Sequence, residues 1–115
     1  IINKGVIEMY NPKEDDIVIN FTEELKKQIP SYLKNIALYG SRARGDNKKY
    51  SDYDFMVLLN EKNEEVSEII YDIGYGILDK YEKLASCLIW NEKDWEFHQK
   101  FPIGKNILKE GVWML

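Results

Sequence analysis

Asp52 and Asp54 stand on either side of Tyr53, just ahead of the apolar run Phe55-Met-Val-Leu-Leu59. In a strand, successive side chains point to opposite faces, so residues two apart share one face. The two carboxylates therefore project side by side, with Tyr53 pointing the other way. Paired acids repel, and both keep their charge only when a cation sits between them. A hard divalent ion such as Mg²⁺ or Mn²⁺ suits that pair, completing its shell with waters and the oxygens of a substrate phosphate.

The phosphate end of such a site lies upstream, where the apolar stretch Ala37-Leu-Tyr39 runs into Gly40-Ser41. Gly40 permits backbone geometry closed to other residues and a close approach of main chain to ligand. Ser41 offers a hydroxyl and, if a helix starts there, lies where free N–H groups and the helix dipole favour an anion. Gly45 ends the short turn. Arg42 and Arg44, the only arginines of the chain, add positive charge together with Lys48 and Lys49. Arginine confined to one loop points to phosphate or partner contact. A phosphate cradle and a metal pair on adjacent strand ends make a nucleoside-triphosphate site.

Gly40-Ser41, ten intervening residues, and Asp52-Tyr53-Asp54 resemble the signature of the DNA polymerase β-type nucleotidyltransferases. The short chain and its Arg-Ala-Arg-Gly run resemble the minimal nucleotidyltransferases of prokaryotes, and the match spans roughly residues 36 to 60. The resemblance implies ATP as substrate and transfer of AMP to an acceptor hydroxyl with loss of pyrophosphate. It assigns Asp52 and Asp54 to catalysis and metal binding, Gly40 and Ser41 to the β/γ-phosphates, and Arg42 and Arg44 to phosphate or acceptor. Relatives of this kind are paired with a small helical HEPN protein as toxin and antitoxin, which implies a toxin tyrosine as acceptor. Two alternatives stand beside it: a degenerate module acting by protein binding, and an aminoglycoside-type transferase acting on a small molecule.

The family often carries a third carboxylate on a neighbouring strand. Here that strand, Leu84 to Trp90, holds no acid. Leu84, Ser86 and Leu88 share a face and only Ser86 is polar, which makes it neither a strong base nor an anionic ligand. Asp79 and Glu82 precede the strand and reach the site only if the strand begins elsewhere.

The elements that must position these residues read as one α/β (α+β) domain over residues 1–115, a small mixed sheet flanked by helices. Its 115 residues suffice for one core, and 44% hydrophobic with 31% charged residues is a globular balance. Residues 1–10 read as an irregular arm. Asn11-Pro12 starts a helix whose stripe is Ile17, Phe21, Leu25 and Ile29, stopped near Pro30. A strand spans Ile36 to Tyr39, and a polar loop covers Gly45 to Ser51. A buried strand follows from Asp54 to Leu59, with a turn at Asn60 to Asn63. Glu64 to Tyr81 reads as a long helix facing inward with Val66, Ile69, Ile70, Ile73, Ile77 and Leu78; Gly74 and Gly76 mark a kink or close packing. A strand over Lys83 to Trp90, a helix over Glu92 to Lys100 and a last helix over Ile103 to Glu110, capped by Gly111, complete the order. The tail Val112 to Leu115 forms a final strand or a contact with another chain.

A net charge of −4 argues against general nucleic-acid binding. No apolar run is long enough to span a bilayer and no signal peptide is recognisable, so no membrane association is expected. The single Cys87 fits a reducing, cytoplasmic setting and reads as a small apolar residue. His98 reads as a surface residue, and Trp90, Trp95 and Trp113 as core or interface anchors. The chain opens on Ile1 rather than Met, which leaves its N-terminus open, as the sequence leaves a homo-oligomer open.

Overall fold

Four strands form one sheet in the order β3-β2-β1-β4, and helices cover both faces. The computed structural model describes residues 10–48 and 51–115. Of the arm expected over residues 1–10 only Tyr10 is described, with no regular structure; residues 1–9, and Lys49 of the basic loop, lie outside the described residues. The elements are α1 (Asp16–Gln28), β1 (Leu33–Tyr39), α2 (Gly40–Arg44), β2 (Tyr53–Leu59), α3 (Glu64–Tyr81), β3 (Ala85–Asn91), α4 (Glu92–His98), α5 (Pro102–Glu110) and β4 (Val112–Trp113). β1 runs antiparallel to β2 and β4, whereas β2 and β3 are parallel. A parallel pair needs a long crossover, and α3 supplies it. The expected mixed sheet flanked by helices is the architecture found.

The central strand β2 is apolar because both of its faces are covered. On one face α1 and α3 pack Phe21, Leu25, Ile70 and Ile77 against Ile36, Leu38, Phe55, Val57 and Leu59. Phe21 stacks on Phe55 with ring centroids 4.1 Å apart. On the other face α4 and α5 bring Trp95 and Ile107 against Ala37, Met56, Leu58 and Trp90. Trp113 meets Trp95 edge-on at 5.7 Å, so the tail closes the sheet as β4 beside β1.

Several boundaries differ from the reading of the sequence. Asn11 caps a separate 3-10 turn at Pro12–Glu14, and the cap of α1 is Asp15, whose Oδ1 accepts the amide of Ile17 at 2.9 Å. β3 begins at Ala85 rather than Lys83 because Glu82 closes α3 in the left-handed conformation, at φ 57°. Leu78 is 43% exposed. The buried stripe of α3 is Val66, Ile70, Ile73 and Ile77, and Leu78 lies about 100° round the helix from Ile77. Gly74 supports the close-packing expectation, since a Cβ there would meet the Ala85 carbonyl at 3.4 Å; Gly76 faces open space. His98 is half-buried rather than a surface residue, stacked on Trp90 at 4.2 Å. Burial pushes the Cys87 thiol up to about 12, so it is no activated thiolate. Among the described residues, no helix is long and apolar enough to cross a membrane.

The crossover helix depends on its cap. Asn63 Oδ1 accepts the Val66 amide at 2.9 Å, satisfying one of the free donors of the first turn. Asn63→Ala is expected to cost about 1 kcal/mol of stability in urea denaturation, with nucleotide affinity unchanged, because the cap is remote from the site described next.

Candidate functional site

The candidate residues meet where β1 ends and β2 begins. Gly40 follows Tyr39 with φ at +77°, a conformation that side chains with a Cβ rarely adopt. This bend turns the chain from β1 into the single helical turn of α2. Gly45 ends α2, also left-handed at φ 82°, and its amide and that of Asp46 return to the Ser41 carbonyl at 2.9 and 3.1 Å. The chain then comes back through Ser51 and Asp52 into β2, where the Tyr53 amide donates to Leu84 O at 2.9 Å. Asp54 is thereby paired with Tyr39 on one side and Ser86 on the other.

The register brings Asp54 and Gly40 together. A Cβ built on Gly40 would lie 2.5 Å from Asp54 Oδ2, closer than such atoms ever approach. The carboxylate therefore occupies the space that a side chain at position 40 would need. Its pKa is raised, first by burial and next by the negative charge of Asp52, with Arg44 opposing. Asp52 itself is exposed, one residue ahead of the strand. The pair expected from the sequence is thus adjacent and mutually repelling, a set of hard oxygen donors that a divalent cation would relieve. Tyr39 feels the same charge: burial, then Asp54, pushes its phenol up to about 12.

The two arginines part company. Arg42 is 9% exposed and turns to the face opposite Asp54. Its guanidinium sits 4.3 Å from the centre of the Tyr53 ring, and Nη2 donates to Ser51 O at 3.0 Å. The Tyr53 hydroxyl donates in turn to Asp15 Oδ2 at 2.8 Å, as does that of Tyr10. Burial and the bond to Asp15 raise the pKa of both phenols. Arg42 therefore braces the return of the loop against α1, and its placement here is not among the phosphate-side groups. Arg44 remains on the Asp54 side, half-exposed. Its Nη1 donates to both oxygens of Glu110 at 3.1 and 3.2 Å, and its Nε to Asp46 Oδ2 at 3.1 Å.

Glu110 is the member that sequence reasoning missed. It is the last residue of α5, and its Oε1 also accepts the Gly40 amide at 3.2 Å. A signal existed: an acid in the last turn of a helix is opposed by the dipole, so a compensating cation was to be sought. Ser86 lies beside Asp54 in the parallel register, so the neighbouring strand presents a hydroxyl where the third acid was looked for. Glu82 is exposed beyond the end of α3. Among the described residues, no three acids, histidines or cysteines converge as a metal cluster.

Comparison with known proteins identifies the family and the fold. Residues 16–113 match the family model described as nucleotidyltransferase domain. "Putative protein adenylyltransferase MJ0604" of Methanocaldococcus jannaschii is 27% identical over 85% of this chain and 94% of its own length. "Putative protein adenylyltransferase MJ0141" of the same organism is 35% identical over 65% of this chain and 81% of its own. Among solved structures, a toxin-antitoxin complex with AMP-PNP superposes with a TM-score of 0.60 at 15% identity, over 83% of this chain and 69% of that one. A "putative nucleotidyltransferase" from Sulfolobus solfataricus gives 0.54 at 17% identity, over 93% and 89%. At these identities the structural likeness is one of fold.

Proposed function

The chain belongs to the nucleotidyltransferase domain family, and from that premise we propose that it transfers AMP from ATP to a hydroxyl acceptor with the help of a divalent metal. The observation that carries this reading is the Asp54 carboxylate lying against the backbone of Gly40. It sets a metal-type acid directly beside the turn that would hold phosphate. The donors fit Mg²⁺ or Mn²⁺: all are oxygens, and the repulsion between Asp52 and Asp54 is of the kind a cation removes. When bound, the metal supplies positive charge to the reacting phosphate and the departing pyrophosphate.

The chain's own groups do the positioning. The Gly40 amide, the Ser41 region and Arg44 hold the β- and γ-phosphates, and Asp52 and Asp54 fix the metal side. The acceptor oxygen bonds to the α-phosphorus while the bond to the β-phosphate oxygen breaks. With Ser86 beside Asp54, β3 offers no carboxylate for the acceptor proton, which passes to water. Arg42 holds the Ser51 carbonyl and so fixes the approach to Asp52. Positioning and charge neutralisation account for the rate in this kind of transfer.

A protein acceptor is favoured, because curated relatives carry the name protein adenylyltransferase and solved neighbours are titled toxin-antitoxin MntA-HepT. The proposed partner is a small helical HEPN-type toxin and the acceptor one of its tyrosines. The second reading, a degenerate module that neutralises its partner by binding alone, is favoured by the hydroxyl of Ser86 in place of an acid.

Calorimetric titration with ATP, in Mg²⁺ and again in EDTA, tests the site. Binding that needs the metal and weakens at least about tenfold in Asp52→Asn is expected, since a ligand of the cation is lost. Absence of nucleotide binding by the folded protein overturns the enzyme reading. Transfer of label from ATP to the partner, abolished in Asp52→Asn, separates catalysis from neutralisation by binding.

A further inference from the structure

The anion seated at the proposed phosphate end is a residue of the chain itself. Glu110 is held there by long-range contacts, although its own position at the C-terminal end of α5 is unfavourable for a negative charge. Its side chain is 17% exposed, against 46% for Arg44. One carboxylate oxygen takes both the Gly40 amide and Arg44 Nη1, and the second oxygen takes the same Nη1. A carboxylate bridging a backbone N–H and a guanidinium makes the charge-assisted bonds that a phosphate would make there.

We propose that Glu110 is an internal competitor for the triphosphate, occupying the Gly40 amide and the Arg44 guanidinium until nucleotide displaces it. The inference rests on the reading of this site as a nucleotide site. Gly40 and Arg44 cannot serve both anions in one geometry, and an unscreened carboxylate beside the polyphosphate repels it. The apparent dissociation constant for ATP is therefore the intrinsic one divided by the fraction of time Glu110 leaves the site open. AMP, which lacks the β- and γ-phosphates, escapes this competition.

The test is calorimetric titration of ATP with Mg²⁺, and separately of AMP, into wild type, Glu110→Gln and Glu110→Asp, each checked for fold by circular dichroism. Gln keeps the shape without the charge; Asp keeps the charge on a shorter arm and stands in if the Gln variant does not fold. ATP is expected to bind about fivefold more tightly to either variant, with AMP unchanged. ATP affinity that is unchanged or weaker in both variants overturns the inference and makes Glu110 a brace that orients Arg44. If the Glu110 variants show no tighter ATP binding while wild type binds ATP and Asp52→Asn weakens it, the nucleotide site stands and the competitor alone falls. If neither wild type nor the Glu110 variants bind ATP, the nucleotide reading and the competitor fall together.

Discussion

Asp54→Asn lowers nucleotidyl transfer by about a thousandfold, roughly 4 kcal/mol of transition-state stabilisation, in a label-transfer assay with ATP and Mg²⁺. The expectation follows from its position: Asp54 is the carboxylate against Gly40, beside the proposed phosphate loop and between β1 and β3. Asn is nearly the same shape and keeps one oxygen, so loss of charge is what the assay reads. Stability should move the opposite way. Burial and then Asp52 raise the carboxyl's pKa above its ordinary value of 3.8. A group whose pKa is raised in the folded state contributes stability that is full below the ordinary value and is lost as pH rises through the raised one. At neutral pH the metal-free wild type therefore carries a penalty that Asn does not. Thermal unfolding in EDTA should show Asp54→Asn as the more stable protein at pH 7, with the gap closing below pH 3.8. Mg²⁺ should also narrow the gap, because it binds only the wild-type carboxylate pair. An inactive variant that is less stable than wild type at neutral pH would instead make Asp54 a structural residue.

What could be read from the sequence was local in origin. Gly40, Gly45 and the alternation of Asp52, Tyr53 and Asp54 depend on backbone sterics and a two-residue period, and both act within a few positions. The boundaries of α3 were equally legible, since an apolar stripe and a capping Asn63 bracket it. Arg42 was harder. Its type suggests phosphate, yet its direction is set by Tyr53, which turns to the α1 face and offers a ring and a route to Asp15. That choice depends on the packing of two elements distant in sequence. Glu110 carried a local signal, an acid at the end of a helix, but its partners were hidden for the same reason: 70 residues separate it from Gly40, and only the crossing of α5 over β1 brings them together. His98 was misplaced because its partner Trp90 lies on a strand whose neighbour, α4, folds back over it. Residues governed by their own backbone were predictable; residues whose side chains answer a remote partner were not.

Gly40→Ala should lower transfer by about a hundredfold and cost about 1–2 kcal/mol of stability, for two separable reasons. The first is backbone strain. At φ +77° a Cβ crowds the adjoining carbonyl, whatever else surrounds it. The second is collision, since the new methyl would meet Asp54 Oδ2 at 2.5 Å. The carboxylate lies at the end of a short side chain and can rotate away, so this part is cheap for folding and expensive for catalysis. A shift of about 1 Å in a positioned group is enough for a hundredfold loss. A double-mutant cycle separates the two. In an Asp54→Asn background, Gly40→Ala should add little further loss of activity, because the group it displaces has already lost its role. In an Asp54→Ala background the collision is gone, and the remaining stability cost is the strain alone. Urea denaturation and label transfer on the variants read both halves. Additive losses of activity across the cycle would mean that Gly40 serves the nucleotide without setting the place of Asp54, and would break the link between acid and phosphate turn on which the proposed site depends.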